Sequence, residues 1–335
     1  MKDNQIVSFN KIGYDPFIDF LKAYSIFLVV FGHALPVVFY DYTLFWVWGG
    51  MQVPVFILIQ VFHAYKKGKV PTINWNSMLK RIVIPFTVVQ AIILSFRILF
   101  STEDASSVLI SSVHRGGYGP GSYYFWIYIQ VAIILVLIWP LVQKLTRKQL
   151  TIILLILSIG CEVLFSLIDL PDFIYRLLAV RYLFLVPLAF IWIEEGVVLN
   201  VKNVILSIVS IFAVIFFRFF KFDLEPFFYN TGWATHRWIC YFYLPILLTY
   251  VLYLLFKLIS KSECLSKMIN KVAKSSYEIF LIQMIVFVFC PIDRLSFIQS
   301  SLFRLPIWML LTFVLSIIGG IMMNWIMQKF LVEKK

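Results

Sequence analysis

Charged side chains are scarce in this chain: 14% of its 335 residues are Asp, Glu, Lys or Arg, against 61% hydrophobic. A soluble domain needs more polar surface than that, so the composition points to a polytopic membrane protein. Acid is scarcest, with 17 Asp and Glu against 29 Lys and Arg and a formal net charge of +12. In a soluble chain such an excess would suggest nucleic acid. Here lysines gathered in cytoplasmic loops explain it, and no nucleic-acid partner is expected. Cysteine is equally sparse. Cys161, Cys240 and Cys290 lie in apolar runs and Cys264 in a lysine-rich stretch. None has metal-ligand spacing or a paired framework, so all four read as packing residues and no metal is expected. There is no internal repeat, no low-complexity linker and no polar stretch long enough for an appended soluble domain. Residues 1–335 are therefore expected to form a single membrane domain. No small-residue cleavage site follows the first apolar run, which is also too long for a signal peptide, so that run is expected to be retained as a signal anchor.

What the chain does contain is apolar segments. Ten are legible, roughly 17–39, 44–64, 82–100, 123–143, 150–168, 177–193, 201–219, 238–258, 276–292 and 305–327. The fold expected is all-α, a transmembrane bundle of about ten helices. The basic residues alternate across these segments. One set of connections carries nineteen of the 29, including Lys66, Lys67, Lys69, Lys80, Arg81, Lys144, Arg147, Lys148, Lys202 and the run from Lys257 to Lys274. The opposite set carries nine. The richer side reads as cytoplasmic, and both termini fall there.

The first segment holds an unusual polar stripe. Lys22 and His33 are eleven residues apart and so differ by about 20° around a helix, which puts them on one face. Asp19, three residues before Lys22, falls on the same side. Ionisable groups inside a membrane helix are costly and usually face a bundle interior or a wet cavity. Imidazole titrates nearest neutrality, so His33 suits a general base. Lys22 suits stabilisation of an anionic donor or a developing oxyanion, and Asp19 suits holding Lys22 in place. A snorkelling Lys–Asp pair and a histidine hydrogen-bonded to a neighbouring helix fit the same residues, and at this point both readings stand.

Other polar residues lie at membrane depth. Arg97 and Arg181 sit near outer helix ends, where snorkelling is the simple reading. Glu278 is four residues from Lys274, the spacing of a helical ion pair. Glu162 in the fifth segment needs a protein partner that the sequence does not identify. Gln283 lies seven residues from Ser276, on one face with it, and either lines a cavity or joins two helices. The stretch HRGGYGPGSYY could offer backbone amides and aromatic faces to a sugar, or be a flexible re-entry loop with interfacial tyrosines. His114–Arg115 and His236–Arg237 are paired on outer loops without a third ligand.

The order aspartate, basic residue, histidine in a first transmembrane helix resembles the acyltransferase family 3 membrane proteins. VPVFILIQVF (53–62), KRIVIPF (80–86), GPGSYYFWIYIQ (119–130), RYLFLVPLAFIWIEEG (181–196) and SSYEIFLIQMIVF (275–287) extend the likeness over roughly residues 12–327. Three positions depart from the family pattern. Lys22 stands where arginine is usual, Gln60 and Val61 where Ser-Gly is common, and Gln283 where histidine is common. The resemblance implies transfer of an acyl group, commonly acetyl, from cytoplasmic acyl-CoA to a hydroxyl of an extracytoplasmic polysaccharide or lipid-linked sugar. It implies a multi-pass protein of the bacterial plasma membrane, surrounded by lipid and working beside polysaccharide synthase or export proteins. His33, as base or as transient carrier of the acyl group, Lys22 and Asp19 would be catalytic. Arg81 and Lys80 would receive the phosphates of the acetyl-CoA donor, and Gln60, Arg181, Gln283 and Tyr123 would line the acceptor site. Two other readings remain open on the departures: a non-enzymatic glycan exporter, and an assembly subunit of an envelope polysaccharide synthase.

Overall fold

A computed structural model describes residues 16–36, 39–40, 45–48, 51–100, 104–196, 200–219, 244–296 and 300–329. Among these the chain is helical, with no strand. The longer helices are α1 (Pro16–Ala34), α2 (Gln52–Tyr65), α3 (Trp75–Phe100), α4 (Ala105–Arg115), α5 (Tyr123–Leu137), α6 (Arg147–Leu167), α7 (Leu185–Glu195), α8 (Val201–Phe219), α9 (Leu244–Ile259), α10 (Glu263–Lys274), α11 (Ser276–Phe289) and α12 (Ser301–Met327). Each of the ten apolar segments overlaps a helix. Among the described residues four helices are long and apolar enough to cross a membrane: α1, α3, α6 and residues Phe303–Met327 of α12. The pair α10 and α11, bent by 70° at Ser275, would be a fifth if taken as one span. His236, Arg237, Cys240 and the aromatic stretch of 220–237 lie outside the described residues.

Local chemistry sets the helix ends. Asn74 opens α3 by accepting from the Ser77 amide at 2.9 Å. Within α3, residues Leu79–Val83 wind as a π-turn. Pro85 lies just beyond and has no N–H to give to the Arg81 carbonyl four residues back, so the ladder must re-space there. Thr146 and Gln149 form a reciprocal capping box before α6.

Two helices fall where the sequence suggested connections. In α4, Asp104 caps the N-terminus and Gly116 ends the helix in the left-handed region at φ 67°. Hydrogen bonds from the Ser106 hydroxyl and the Ser107 amide hold the Asp104 carboxyl well below the usual carboxylate range. In α10, Ser262 is the cap, and lysines alternate with apolar residues such as Leu265 and Met268.

The chain folds as two compact units. The first comprises Met1–Ile18, Val53–Ile73 and Trp126–Leu258, the second Asp19–Gln52, Asn74–Phe125 and Ile259–Lys335. In the first unit polar side chains tie helices to backbone carbonyls, the favoured use of polar groups where lipid offers no water. Gln60 Nε2 donates to the Tyr128 carbonyl at 2.9 Å and the Tyr65 hydroxyl to the Leu135 carbonyl at 2.8 Å. Gln130 accepts from the Ala179 amide at 3.0 Å and donates to the Leu177 carbonyl at 2.6 Å.

The second unit is built around α11 and α12. Gly319 and Gly320 bring the α12 backbone against Ile282 and Ile279 of α11. Asn324 donates to the Ser275 hydroxyl at 2.9 Å, and Trp308 Nε1 to the Cys290 carbonyl at 2.7 Å. Helix α3 packs on the other side of α11, where Phe96 meets Phe289 and the Tyr277 hydroxyl donates to the Ile82 carbonyl at 2.8 Å.

Candidate functional site

The site is assembled in the second unit from α1, α3, α11 and the glycine-rich turn between α4 and α5. Four glycines with positive φ, Gly116, Gly117, Gly119 and Gly121, fold residues 116–122 back over α11. Two of them also require the absence of a side chain. A Cβ on Gly119 would lie 2.5 Å from Met284 Cβ, and one on Gly121 would lie 2.9 Å from the Phe280 ring and 3.5 Å from His33 Nε2. The turn therefore roofs the histidine at van der Waals range.

Gln90 of α3 fixes this roof. Its Oε1 accepts from the Tyr118 amide at 2.7 Å while its Nε2 donates to the Tyr118 carbonyl at 3.0 Å. One amide side chain thus pairs with both backbone groups of Tyr118, as a neighbouring strand would. The Ser122 hydroxyl closes the turn internally by donating to the Gly117 carbonyl at 2.9 Å. Arg97 stacks its guanidinium over the Tyr118 ring at 4.6 Å, so it does not simply snorkel. The turn is a pinned structure rather than a flexible loop.

His33, one residue from the end of α1, keeps accessible surface beneath the roof. Phe287 meets its ring edge-on at 6.2 Å between centroids. Among the described residues neither imidazole nitrogen has a hydrogen-bond partner. That disfavours a histidine used to join helices, because a structural imidazole at membrane depth is normally hydrogen-bonded. Gln283, fully buried on α11, donates from Nε2 to the Pro120 carbonyl at 3.4 Å. The bond fixes the amide's orientation and leaves its Oε1 buried without a partner. Pro120 and Gly121 are consecutive, so Gln283 and His33 border the same short stretch of the turn. Tyr123 begins α5 two residues later.

Asp19 and Lys22 form the ion pair expected, with Nζ 3.3 Å from Oδ1, the aspartate almost buried and the lysine half-buried. Eleven residues of helix, about 16 Å at 1.5 Å per residue, separate Lys22 from His33. The pair therefore shares α1 with the histidine but does not reach its ring. Lys80 and Arg81 lie exposed on the π-turn of α3. The expected Lys274–Glu278 pair does not form, because the break at Ser275 puts the two residues on differently directed helices.

Gln60 and Arg181 belong to the first unit. Besides its bond to Tyr128, Gln60 keeps its Oε1 buried without a partner. Arg181 is 2% exposed, so it does not snorkel. It lies 5.3 Å from the Tyr175 ring and 4.8 Å from the Tyr182 ring, and Tyr175 in turn donates to Glu162 at 2.5 Å. Glu162 thereby has its partner. Its buried carboxylate, two tyrosines and an arginine form a mutually compensating cluster, the usual condition for charge in a protein interior.

The sequence did not single out Gln90, Tyr118, Phe280 or Phe287. A lone glutamine in the apolar α3 was the available signal, since an amide in hydrocarbon demands partners.

A family model for an acyltransferase domain, that of acyltransferase family 3, matches residues 15–325, nearly the whole chain. No curated protein matches the chain and no solved structure does.

Proposed function

The chain belongs to acyltransferase family 3, and from that premise we propose that it moves an acyl group, most simply acetyl, from cytoplasmic acyl-CoA to a hydroxyl of an extracytoplasmic polysaccharide or lipid-linked sugar. The observation that carries this reading is His33: an accessible imidazole with no hydrogen-bond partner among the described residues, held under a turn that Gln90 pins. A base in that state is ready for a substrate hydroxyl.

The chemistry follows from the groups present. His33 takes the proton of the acceptor hydroxyl as its oxygen attacks the thioester carbonyl. The tetrahedral intermediate expels the CoA thiolate, which leaves with the proton held by the imidazolium. Gln283, through its bond to the Pro120 carbonyl, holds the stretch of turn that borders His33 on the acceptor side, and the Tyr123 ring supplies an apolar face for the sugar ring. Lys22, too far from His33 to touch the reacting carbonyl, acts on the donor's negative charge, with Asp19 setting its position. Arg81 and Lys80 receive donor phosphates. The excess of basic residues on alternate connections supports ten spans with both termini inside a bacterial plasma membrane.

The test uses the purified protein in nanodiscs with radiolabelled acetyl-CoA, following CoA release and label transfer to acceptor. Acceptor-stimulated turnover is expected. Absence of turnover with every acyl-CoA tried would overturn the reading and favour the exporter. Lys22 gives a second prediction with the same assay. If its role is charge alone, Lys22→Arg keeps transfer within about threefold of wild type, whereas Lys22→Ala lowers it about tenfold or more. Equal loss in both would show that the ammonium's compact shape, not its charge, is required.

A further inference from the structure

The first unit contains a cleft of about 650 Å³ that the chemistry above does not use. It lies among α6, α7 and α8, and its polarity is one-ended. Arg147, Lys148 and Lys202, with Glu194 and Thr151, supply its polar groups near the ends of these helices, and the other eight lining residues are apolar, with Leu155, Leu188 and Leu206 among them. Such a volume suits a small-molecule site.

Two features at the basic end point to an anion. First, the charges do not cancel. Glu194 pairs with Arg147, but Lys148 and Lys202 are exposed and no carboxylate pairs with either among the described residues. Second, Arg147 is fixed and incompletely used. Its guanidinium lies 3.8 Å over the Phe190 ring, its Nε is engaged by Glu194, and its Nη1 is buried without a hydrogen-bond partner. A guanidinium held in this way presents a directed donor that a phosphate oxygen would satisfy.

The apolar length of the cleft decides what carries the phosphate. A nucleotide thioester or a sugar phosphate has hydrogen-bonding groups along its whole length, and burying them against leucine without partners is costly. A phospholipid matches the pattern, with a charged phosphate at one end and hydrocarbon beyond. Basic pockets between membrane helices are a recurrent way of holding such lipids. We propose that this cleft binds an anionic phospholipid, its phosphate on Arg147, Lys148 and Lys202 and an acyl chain against Leu155, Leu188 and Leu206.

The test is retention of phosphatidylglycerol by the full-length protein in mild detergent, read by native mass spectrometry, against phosphatidylethanolamine. Wild type is expected to retain phosphatidylglycerol preferentially. At about 1 kcal/mol for each basic residue near a lipid headgroup, the double variant Lys148→Glu/Lys202→Glu should lose about tenfold or more of that retention. Lys261→Glu, an exposed lysine outside the cleft, should lose none. Leu206→Trp fills the slot and leaves the charges in place, and it should also lose lipid. That variant decides the matter if the charge reversal does not accumulate. Equal retention by wild type and cleft variants overturns the proposal, as does competitive displacement of the lipid by free CoA or inorganic phosphate. None of these readouts requires acyl transfer, so failure here leaves the acyltransferase reading standing.

Discussion

His33→Ala is expected to lower acyl transfer by about a hundredfold or more, the typical contribution of a positioned general base, while protein level and membrane insertion stay those of wild type. The expectation of intact folding comes from the surroundings of the ring. His33 makes an edge contact with Phe287 and lies against Gly121, yet among the described residues it holds no hydrogen bond whose loss would strand a buried partner. Truncation therefore removes a reactive nitrogen and opens some space without orphaning a polar group. CoA release and label transfer in nanodiscs measure the activity, and size-exclusion behaviour in detergent measures the fold. Acylation that persists in the variant would make His33 structural and remove the mechanism. Loss of both activity and fold would mean that the ring supports the turn above it.

The largest effect on stability is expected at Gly320. A Cβ there would lie 2.4 Å from Ile279 Cγ1 and 2.5 and 2.6 Å from the Ile279 Cα and amide nitrogen. A side chain can rotate away, but the backbone of α11 cannot move without disturbing Asn324–Ser275 and the contact of α11 with α3. Gly320→Ala is therefore expected to cost about 1–3 kcal/mol or more, the range for overpacking a filled interior. Gly160, in the middle of α6, supplies the contrast, because a Cβ there meets nothing within 4 Å. Gly160→Ala should gain about 0.5–1 kcal/mol from the reduced entropy of the unfolded chain. Thermal midpoints of the two variants in the same detergent should thus move in opposite directions. A fall at both positions would point to a general dependence on helix flexibility rather than to close packing of α12 on α11.

Features that depend on local spacing were open to the sequence. The face shared by Asp19, Lys22 and His33 follows from the pitch of one helix, and the ion pair forms as that pitch requires. The apolar segments, too, are read one helix at a time. Features that depend on where helices come together were hidden. Gln90 and Tyr118 are 28 residues apart, and only the fold brings the amide to that peptide. Nothing near Glu162 in the chain identifies Tyr175 as its partner, because the pairing crosses a turn. The Lys274–Glu278 spacing misled because it assumed a continuous helix, which the break at Ser275 interrupts. Helices α4 and α10 were hidden by their polar composition, although their end signals, Asp104 and Gly116 for one and Ser262 for the other, stood in the sequence.

Helix α3 carries Arg81 near one end, Gln90 about 13 Å further along its axis and Arg97 beyond. The first of these is exposed, while the other two grip Tyr118 by its backbone and by its ring. Mechanically the helix is a lever with a handle at one end and the histidine's roof clamped to its shaft. A rotation of α3 that moves Arg81 must also turn the amide of Gln90, and Tyr118 can follow only by carrying Gly119 and Gly121 across α11. Those glycines have no clearance there, so the lever has little free travel.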